Sequence, residues 1–133
     1  MFDLKSRVLV IDDMMTMRKI VIKNLKDLGF TDITEAADGN LAWGALNAAS
    51  PPIQLVISDW NMPNCSGLDL LKKVRGDAKF AKLPFVMLTA EAEAAQVKEA
   101  LVAGVTNYII KPFTADTLKL KLEQSHKKVS GAA

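Results

Sequence analysis

Short apolar runs alternate with helix-like stretches along this chain, and this alternation constrains its fold more than any other feature. Four runs lead directly into polar side chains: residues 7–11, 53–58, 84–88 and 107–110 precede Asp12-Asp13, Asp59, Thr89 and Lys111. Continuous apolar runs of this length are typical of parallel strands that are buried on both faces. Ligands bind beyond the carboxyl ends of such strands in open α/β sheets. We therefore expect these acids, the hydroxyl and the ammonium group to meet in one site.

A further short strand is predicted over residues 33–36, before the turn-forming pair Asp38-Gly39. The stretches between strands carry apolar residues at helical spacing and end near Gly29, Pro51 or Gly104. Alternating strands and helices with short loops imply right-handed crossovers and helices on both faces of one sheet. The sequence therefore predicts an α/β fold, a (βα)5 doubly wound parallel sheet with strand order 2-1-3-4-5. In this order the first helix lies on the opposite face from its immediate successors.

Helical spacing also predicts which side chains of the helices face the core. They are Met17, Ile20, Val21, Leu25 and Leu28 in the first helix, Leu41, Ala45, Leu46 and Ala49 in the second, Leu68, Leu71 and Val74 in the third, Ala92, Ala95 and Leu101 in the fourth, and Leu118 and Leu122 in the fifth. The fourth helix has few and small apolar side chains on its inward face, so we expect it to be the least firmly anchored. His126 is expected on a frayed helix end.

Length and composition indicate one globular domain over residues 1–133, with a core from about 7 to 124 and no output domain. The net charge of +2 is too small to indicate a nucleic-acid partner. The single cysteine, Cys65, cannot form an internal disulfide, which favours a reducing compartment and an unreactive thiol. The N-terminus lacks the apolar stretch of a secretory signal, and no segment reaches the ~18 apolar residues of a membrane span. We expect a cytoplasmic monomer.

The acids at the strand ends predict a hard-metal site. Asp12, Asp13 and Asp59 would crowd three carboxylates together, an arrangement that requires a cation or proton uptake. Oxygen ligands without His or Cys select Mg²⁺ above all, and carboxylate-bound Mg²⁺ is typical of phosphoryl chemistry. Taken singly, each residue also has a structural explanation, such as a helix cap for the acid pair or a solvated loop position for Lys111. The combination of all of them at strand ends of one sheet favours a phosphoryl site.

Four motifs carry a family resemblance: 11–13, 58–63, 88–92 and 111–113, which read IDD, SDWNMP, LTAEA and KPF. Together they resemble the signature of the response-regulator receiver domain, which has a flavodoxin-like fold, and the match runs from about residue 8 to 123. Within that family, the strings at 16–18, 28–30, 59–64 and 111–114 are most similar to the stand-alone chemotaxis regulators. The resemblance implies a phosphoacceptor signalling protein of a two-component system, not an enzyme with a separate substrate.

Specific roles follow from this resemblance. Asp59 would accept a phosphoryl group from a histidine kinase. Asp12, Asp13 and Asp59 would bind Mg²⁺ together with the backbone carbonyl of Asn61. Thr89 and Lys111 would hold the phosphoryl oxygens. The Lys111–Pro112 bond is typically cis in receivers.

The resemblance also implies a switch and a rate of decay. Thr89 would move toward the phosphoryl group, and Tyr108 would rotate inward into the space that Thr89 leaves. This would repack the surface of the fourth helix, fifth strand and fifth helix, where the partners of similar proteins dock. The expected partner face comprises Ala90, Val97, Tyr108 and Lys121. Asn61 and Glu91 would tune self-dephosphorylation and predict a short-lived phosphoprotein. The implied partners are a chemotaxis-type histidine kinase, a flagellar motor switch protein and a phosphatase.

Other functions remain open at this point. A receiver of this kind also serves as a phosphorelay intermediate, which passes the phosphoryl group to another histidine protein. A Mg²⁺-dependent phosphatase that uses an aspartyl phosphate would carry an Asp-x-Asp string, whereas Asp12 and Asp13 are adjacent. Glu93-Ala94 stand where similar regulators carry lysine, which leaves the identity of the partner open.

Overall fold

The computed structural model describes residues 2–90 and 94–129. Within them, strands and helices alternate as predicted. The strands are β1 (Arg7–Ile11), β2 (Asp32–Ala36), β3 (Leu55–Asp59), β4 (Phe85–Thr89) and β5 (Asn107–Ile110). The helices are α1 (Met15–Leu28), α2 (Gly39–Ala48), α3 (Gly67–Gly76), α4 (Ala94–Ala103) and α5 (Ala115–Val129). All neighbouring strands are parallel and the sheet order is β2-β1-β3-β4-β5, which confirms the predicted fold.

The two faces of the sheet form separate hydrophobic layers. Val8, Val10 and Ile57 point to one layer, where α1 and α5 pack over them. Leu9 and Met87 point to the other, which is covered by α2, α3 and α4. Side chains alternate between the layers because successive residues of a strand point to opposite faces. The change of face between α1 and α2 creates the expected switch point at the ends of β1 and β3.

Several inward-facing assignments were wrong. Ile20, Leu41 and Leu101 are 45%, 58% and 50% exposed, respectively, and Ala95 is exposed as well. α2 buries Ala42 together with the predicted Leu46, and α4 buries Ala100. The small side chains let these helices approach the layer beneath closely, which leaves Leu41 and Leu101 outside. Ala92 lies outside the described residues.

Arg75 ties α3 to the elements around it. Its guanidinium donates to the backbone carbonyls of Gly104 at 2.8 Å, Leu83 at 2.7 Å and Phe80 at 3.3 Å. These carbonyls lie at the end of α4 and in the segment before β4, so one side chain connects three parts of the chain. Gly104 has a φ of 98°, which favours glycine at this helix end.

The last helix is ordered further than expected. α5 extends to Val129, and the His126 ring packs edge-on against Phe2, with ring centroids 5.0 Å apart. Phe2 is buried among the side chains of the α1 and α5 layer, so the N-terminal segment covers the end of α5. The expectation that His126 lies on a frayed end was therefore wrong.

Among the described residues, no helix is long and apolar enough to cross a membrane.

Candidate functional site

The acids predicted to form the site lie together at the carboxyl ends of β1 and β3. A carboxylate oxygen from each of Asp12, Asp13 and Asp59 lies within 4.8 Å of the others. Asp12 is 1% exposed and Asp59 is 7% exposed, whereas Asp13 is exposed. The strands are adjacent in the sheet, so the ends of both are held at the same edge. The site thus has a buried floor and one carboxylate open to solvent.

Asp12 is held in place from two sides. Its Oδ1 accepts a hydrogen bond of 2.9 Å from the backbone N–H of Met14, and its Oδ2 lies 3.4 Å from Lys111 Nζ. Burial raises the pKa of Asp12 above its usual value, although the Met14 N–H bond and Lys111 act in the opposite direction and Asp59 adds to the rise. A raised carboxyl pKa at a cluster of acids indicates a site in which a bound cation would be electrostatically favourable.

Lys111 supplies the positive charge of the site. Its Nζ lies 2.9 Å from Asp59 Oδ1, and its side chain is only 17% exposed. The residue follows β5, two strands from β3, and it reaches across the end of β4. Its backbone N–H donates to the Thr89 carbonyl at 2.8 Å, and the Lys111–Pro112 peptide bond is cis. The Lys111 ammonium group therefore reaches the acids by extending past Thr89, which ends the strand between β5 and β3.

Thr89 and Tyr108 occupy the positions that the sequence predicts. Thr89 is the last residue of β4 and is buried. Tyr108 lies in β5 opposite Met87, and its ring is half-buried against the α2–α3–α4 layer. Lys121 Nζ of α5 lies 5.1 Å from the centroid of that ring, within the range of a cation–π contact. Tyr108 and Lys121 are thus joined on the expected partner face, where Ala90 is exposed and Val97 half-buried.

The remaining predicted residues are less informative in the structure. The side chain of Asn61 is exposed in the loop after Asp59. Glu91 lies outside the described residues. Met14 and Met15, at the start of α1, are 60% and 64% exposed beside the acid pair, so apolar side chains border the opening of the site.

Sequence reasoning missed Gly67, which sets the position of Asp59. A Cβ at this position would collide with the backbone carbonyl oxygen of Asp59 and would lie 2.8 Å from Met87 Sδ. The Gly67 N–H donates to the Trp60 carbonyl at 2.8 Å, and the Trp60 N–H lies 2.9 Å from Asp59 Oδ1. Glycine therefore lets the start of α3 close directly onto the residue that ends β3. Its signal in the sequence is a glycine that follows the acid by eight residues.

The loop after Asp59 is also fixed at its far end. Asn64 Nδ2 lies 3.4 Å from Asp38 Oδ2, and Asp38 caps α2 by accepting a 2.8 Å hydrogen bond from the Leu41 N–H. Cys65 is buried against Gly39, where a Cβ would lie 2.6 Å from its sulfur. Burial raises the pKa of the Cys65 thiol. The loop is thus anchored on α2 and α3 while the acids face the opening.

The donor set fits a magnesium ion. Asp12, Asp13 and Asp59 offer oxygen atoms only, and within the part of the chain that the structure describes no His or Cys joins this cluster. Hard oxygen ligands in small number are what Mg²⁺ requires, since it keeps several of its waters. Two buried acids and one exposed acid thus form a group that could hold a metal ion at the switch point of a doubly wound sheet, with one lysine facing them.

The fold and site together define a receiver, and the chain belongs to the response regulator receiver domain family, whose model matches residues 8–123. Chemotaxis protein CheY1 of Helicobacter pylori is 50% identical over 117 residues, which cover 88% of this chain and 94% of that protein. Chemotaxis protein CheY of Pseudomonas aeruginosa is 45% identical over 125 residues, which cover 94% and 99% of the two chains. A solved structure of Vibrio cholerae chemotaxis protein CheY4 matches with a TM-score of 0.83 and 32% identity, covering 91% of this chain and 98% of that one. The resemblance seen in the motifs is therefore confirmed.

Proposed function

We propose that this protein is a phosphorylation-activated chemotaxis regulator, which accepts a phosphoryl group on Asp59 from a histidine kinase. The observation that carries the proposal is the buried Asp59 carboxylate, with Lys111 Nζ at 2.9 Å and the carboxylates of Asp12 and Asp13 beside it. The relatives named as chemotaxis proteins support the choice of pathway. By the same likeness, the partners would be a chemotaxis-type kinase and a flagellar motor switch protein.

The hydrogen bonds of Asp59 indicate which oxygen reacts. Both the Trp60 N–H and Lys111 Nζ engage Oδ1, so Oδ2 is the oxygen that we expect to attack phosphorus. In this step an Oδ2–P bond forms, the P–N bond of the phosphohistidine breaks, and the imidazole leaves with the electron pair and takes up a proton. Lys111 would turn from the carboxylate toward a phosphoryl oxygen, and the Thr89 hydroxyl would contact a second one. Positioning and charge neutralisation of this kind account for most phosphoryl-transfer catalysis.

Asp12, Asp13 and Asp59, with the backbone carbonyl of Asn61, would hold Mg²⁺. The ion would supply charge neutralisation for the phosphoryl oxygens. Asp12 is suited to this role because its Oδ1 is already fixed by the Met14 N–H, which orients the carboxylate toward the site. We also propose, from the likeness to chemotaxis regulators, that Asn61 and Glu91 make self-dephosphorylation fast. Persistence of the phosphorylated protein for hours in Mg²⁺ would contradict this part of the proposal.

Phosphorylation would change the conformation of the face formed by α4, β5 and α5. It adds roughly −1.5 to −2 of charge at Asp59. Thr89 would move toward that charge and Tyr108 would rotate inward, which changes the face that includes Ala90, Val97 and Lys121. Leu101 and Ile110 are 50% and 41% exposed on these elements and provide apolar area for a partner. The phosphoryl group would shift the equilibrium between the two conformations because it interacts differently with each of them.

Tryptophan fluorescence tests the proposal directly. Trp60 is adjacent to Asp59, and Trp43, the only other tryptophan, lies on α2. A Trp43→Phe variant would therefore report on the site alone. We expect a saturable change on adding Mg²⁺, and a second change on adding acetyl phosphate that disappears as the donor is exhausted. The control Asp59→Asn should lose the second change, and an unchanged signal in the parent would contradict the proposal.

A further inference from the structure

One buried polar atom of α4 has no partner. Gln96 Oε1 is the only buried side-chain nitrogen or oxygen, within residues 2–90 and 94–129, that makes no hydrogen bond. A buried acceptor without a donor is destabilising, and each case in a native protein calls for an explanation. Such an atom is explained if a second conformation of the protein supplies the missing donor.

The position of Gln96 restricts where that donor can come from. Gln96 lies four residues before Ala100, so the two residues share one face of α4. Ala100 is 1% exposed and belongs to the layer that α2, α3 and α4 form over the sheet. Gln96 therefore faces inward toward the sheet, whereas its neighbours Ala95 and Lys98 are exposed.

Tyr108 carries a hydroxyl that can supply the missing donor. Its side chain lies on the same side of the sheet, since it is opposite Met87 and packs against the layer that includes Ala100. The ring is held from outside by Lys121, whose Nζ lies 5.1 Å from the ring centroid. The phenol hydroxyl makes no hydrogen bond with any residue that the structure describes. A buried acceptor without a partner on α4 and a hydroxyl on β5 thus border the same layer.

We propose that Gln96 Oε1 accepts a hydrogen bond from the Tyr108 hydroxyl when Tyr108 rotates inward, and that this bond stabilises the activated conformation. The inference rests on the proposed function, because phosphorylation of Asp59 is what would favour the inward state. Gln96 is then a positioning residue of the switch. Its unsatisfied oxygen destabilises the resting conformation and so lowers the difference in free energy between the two states.

This assignment predicts opposite effects of one substitution in the two states. Gln96→Met keeps the length of the side chain and removes the acceptor. The resting protein should be equally stable or more stable, because a buried unsatisfied oxygen is lost. The activated protein should contain about five- to tenfold less of the inward state, because a hydrogen bond to the phenol is lost. A residue with a merely structural role would weaken both states.

Nuclear magnetic resonance can follow the single tyrosine of the chain. Protein labelled with ¹³C in the tyrosine ring would be recorded with and without Mg²⁺ and beryllofluoride, a stable phosphoryl mimic. Parent, Gln96→Met and the exposed control Lys98→Met would be compared, with urea unfolding of each resting protein. We expect the beryllofluoride-induced shift of the ring signal to fall in Gln96→Met and to be unchanged in Lys98→Met.

Further results distinguish a failure of the Gln96–Tyr108 pairing from a failure of the proposed function. In a Tyr108→Phe background, Gln96→Met should no longer change the stability gained on adding beryllofluoride, and a persisting effect would overturn the pairing. Equal inward populations in the parent and Gln96→Met would also overturn it. If the parent shows no response to Mg²⁺ and beryllofluoride at all, the proposed function itself fails. If Gln96→Met does not fold, Tyr108→Phe alone must reduce the stability gained on activation.

Discussion

Lys111 Nζ lies 2.9 Å from Asp59 Oδ1 and 3.4 Å from Asp12 Oδ2, so one ammonium group bridges the ends of β3 and β1. It crosses the end of β4, where Thr89 lies. This arrangement compensates the negative charge of two buried acids with a side chain from a third element. It also places a cation where a metal ion would compete with it for the carboxylates, and where a phosphoryl oxygen would compete with the carboxylates for the ammonium group.

Replacing Lys111 with Met should have opposite effects on Mg²⁺ binding and on the rate of phosphorylation. Mg²⁺ should bind about three- to tenfold more tightly, because a neighbouring positive charge is removed. Phosphorylation by acetyl phosphate should become at least about tenfold slower, because one contact to the transferred group is lost. Fluorescence titration of Trp60 measures the first quantity and the rate of the donor-induced change measures the second. The exposed Lys82→Met serves as control, and weaker Mg²⁺ binding in Lys111→Met would contradict the account.

Gly67→Ala should destabilise the protein by about 2–4 kcal/mol, because the new methyl group meets the Asp59 carbonyl and Met87. The matched control is Gly44→Ala, since a Cβ at Gly44 meets nothing within 4 Å. The control should be neutral or stabilising by roughly 0.5–1 kcal/mol, as expected in a helix interior. Urea unfolding of both variants measures the difference. Equal free energies of unfolding would show that α3 does not close onto Asp59.

Arg75→Met should also be strongly destabilising, by about 2–4 kcal/mol, because carbonyls at the end of α4 and before β4 lose their donor. Arg75→Lys should recover only part of this loss, since an ammonium group cannot match the planar fork of the guanidinium. Lys72→Met, on the exposed side of α3, should change the free energy of unfolding little. A neutral Arg75→Met would show that these hydrogen bonds contribute no net stability.

Cys65 should react slowly with thiol reagents in the folded protein. Its side chain is 5% exposed and burial raises the pKa of the thiol, so both access and the thiolate fraction are low. Reaction at neutral pH should be at least about 100-fold slower than in urea. The native rate should keep rising at pH values where the rate of the unfolded chain has levelled off. Similar native and unfolded rates would contradict the buried position.

The residues of the candidate site could be predicted from the sequence because each follows an apolar run. Asp12, Asp59, Thr89 and Lys111 are placed by the parallel sheet itself, whose strand ends all meet at one edge. The fold followed from the same alternation of runs and helices. These features depend on local patterns that a single sequence displays.

The residues that could not be predicted depend on close approach between elements. Gly67 matters because α3 begins against the Asp59 carbonyl, and Arg75 matters because three carbonyls converge on it. In α4, the buried Ala100 replaced the predicted Leu101, since a small residue allows close packing. That change of face is also what brings Gln96 inward. No pattern within one helix indicates how closely its neighbours approach.

The central claim is that Asp59 is the phosphoacceptor, and mapping the modified residue tests it most directly. The protein would be incubated with acetyl phosphate and Mg²⁺, quenched, digested and analysed by mass spectrometry, with chelator and Asp59→Asn as controls. We predict one phosphoryl group per chain, on Asp59, that is absent in both controls. A phosphoryl group on another residue, or undiminished labelling of Asp59→Asn, would contradict the account.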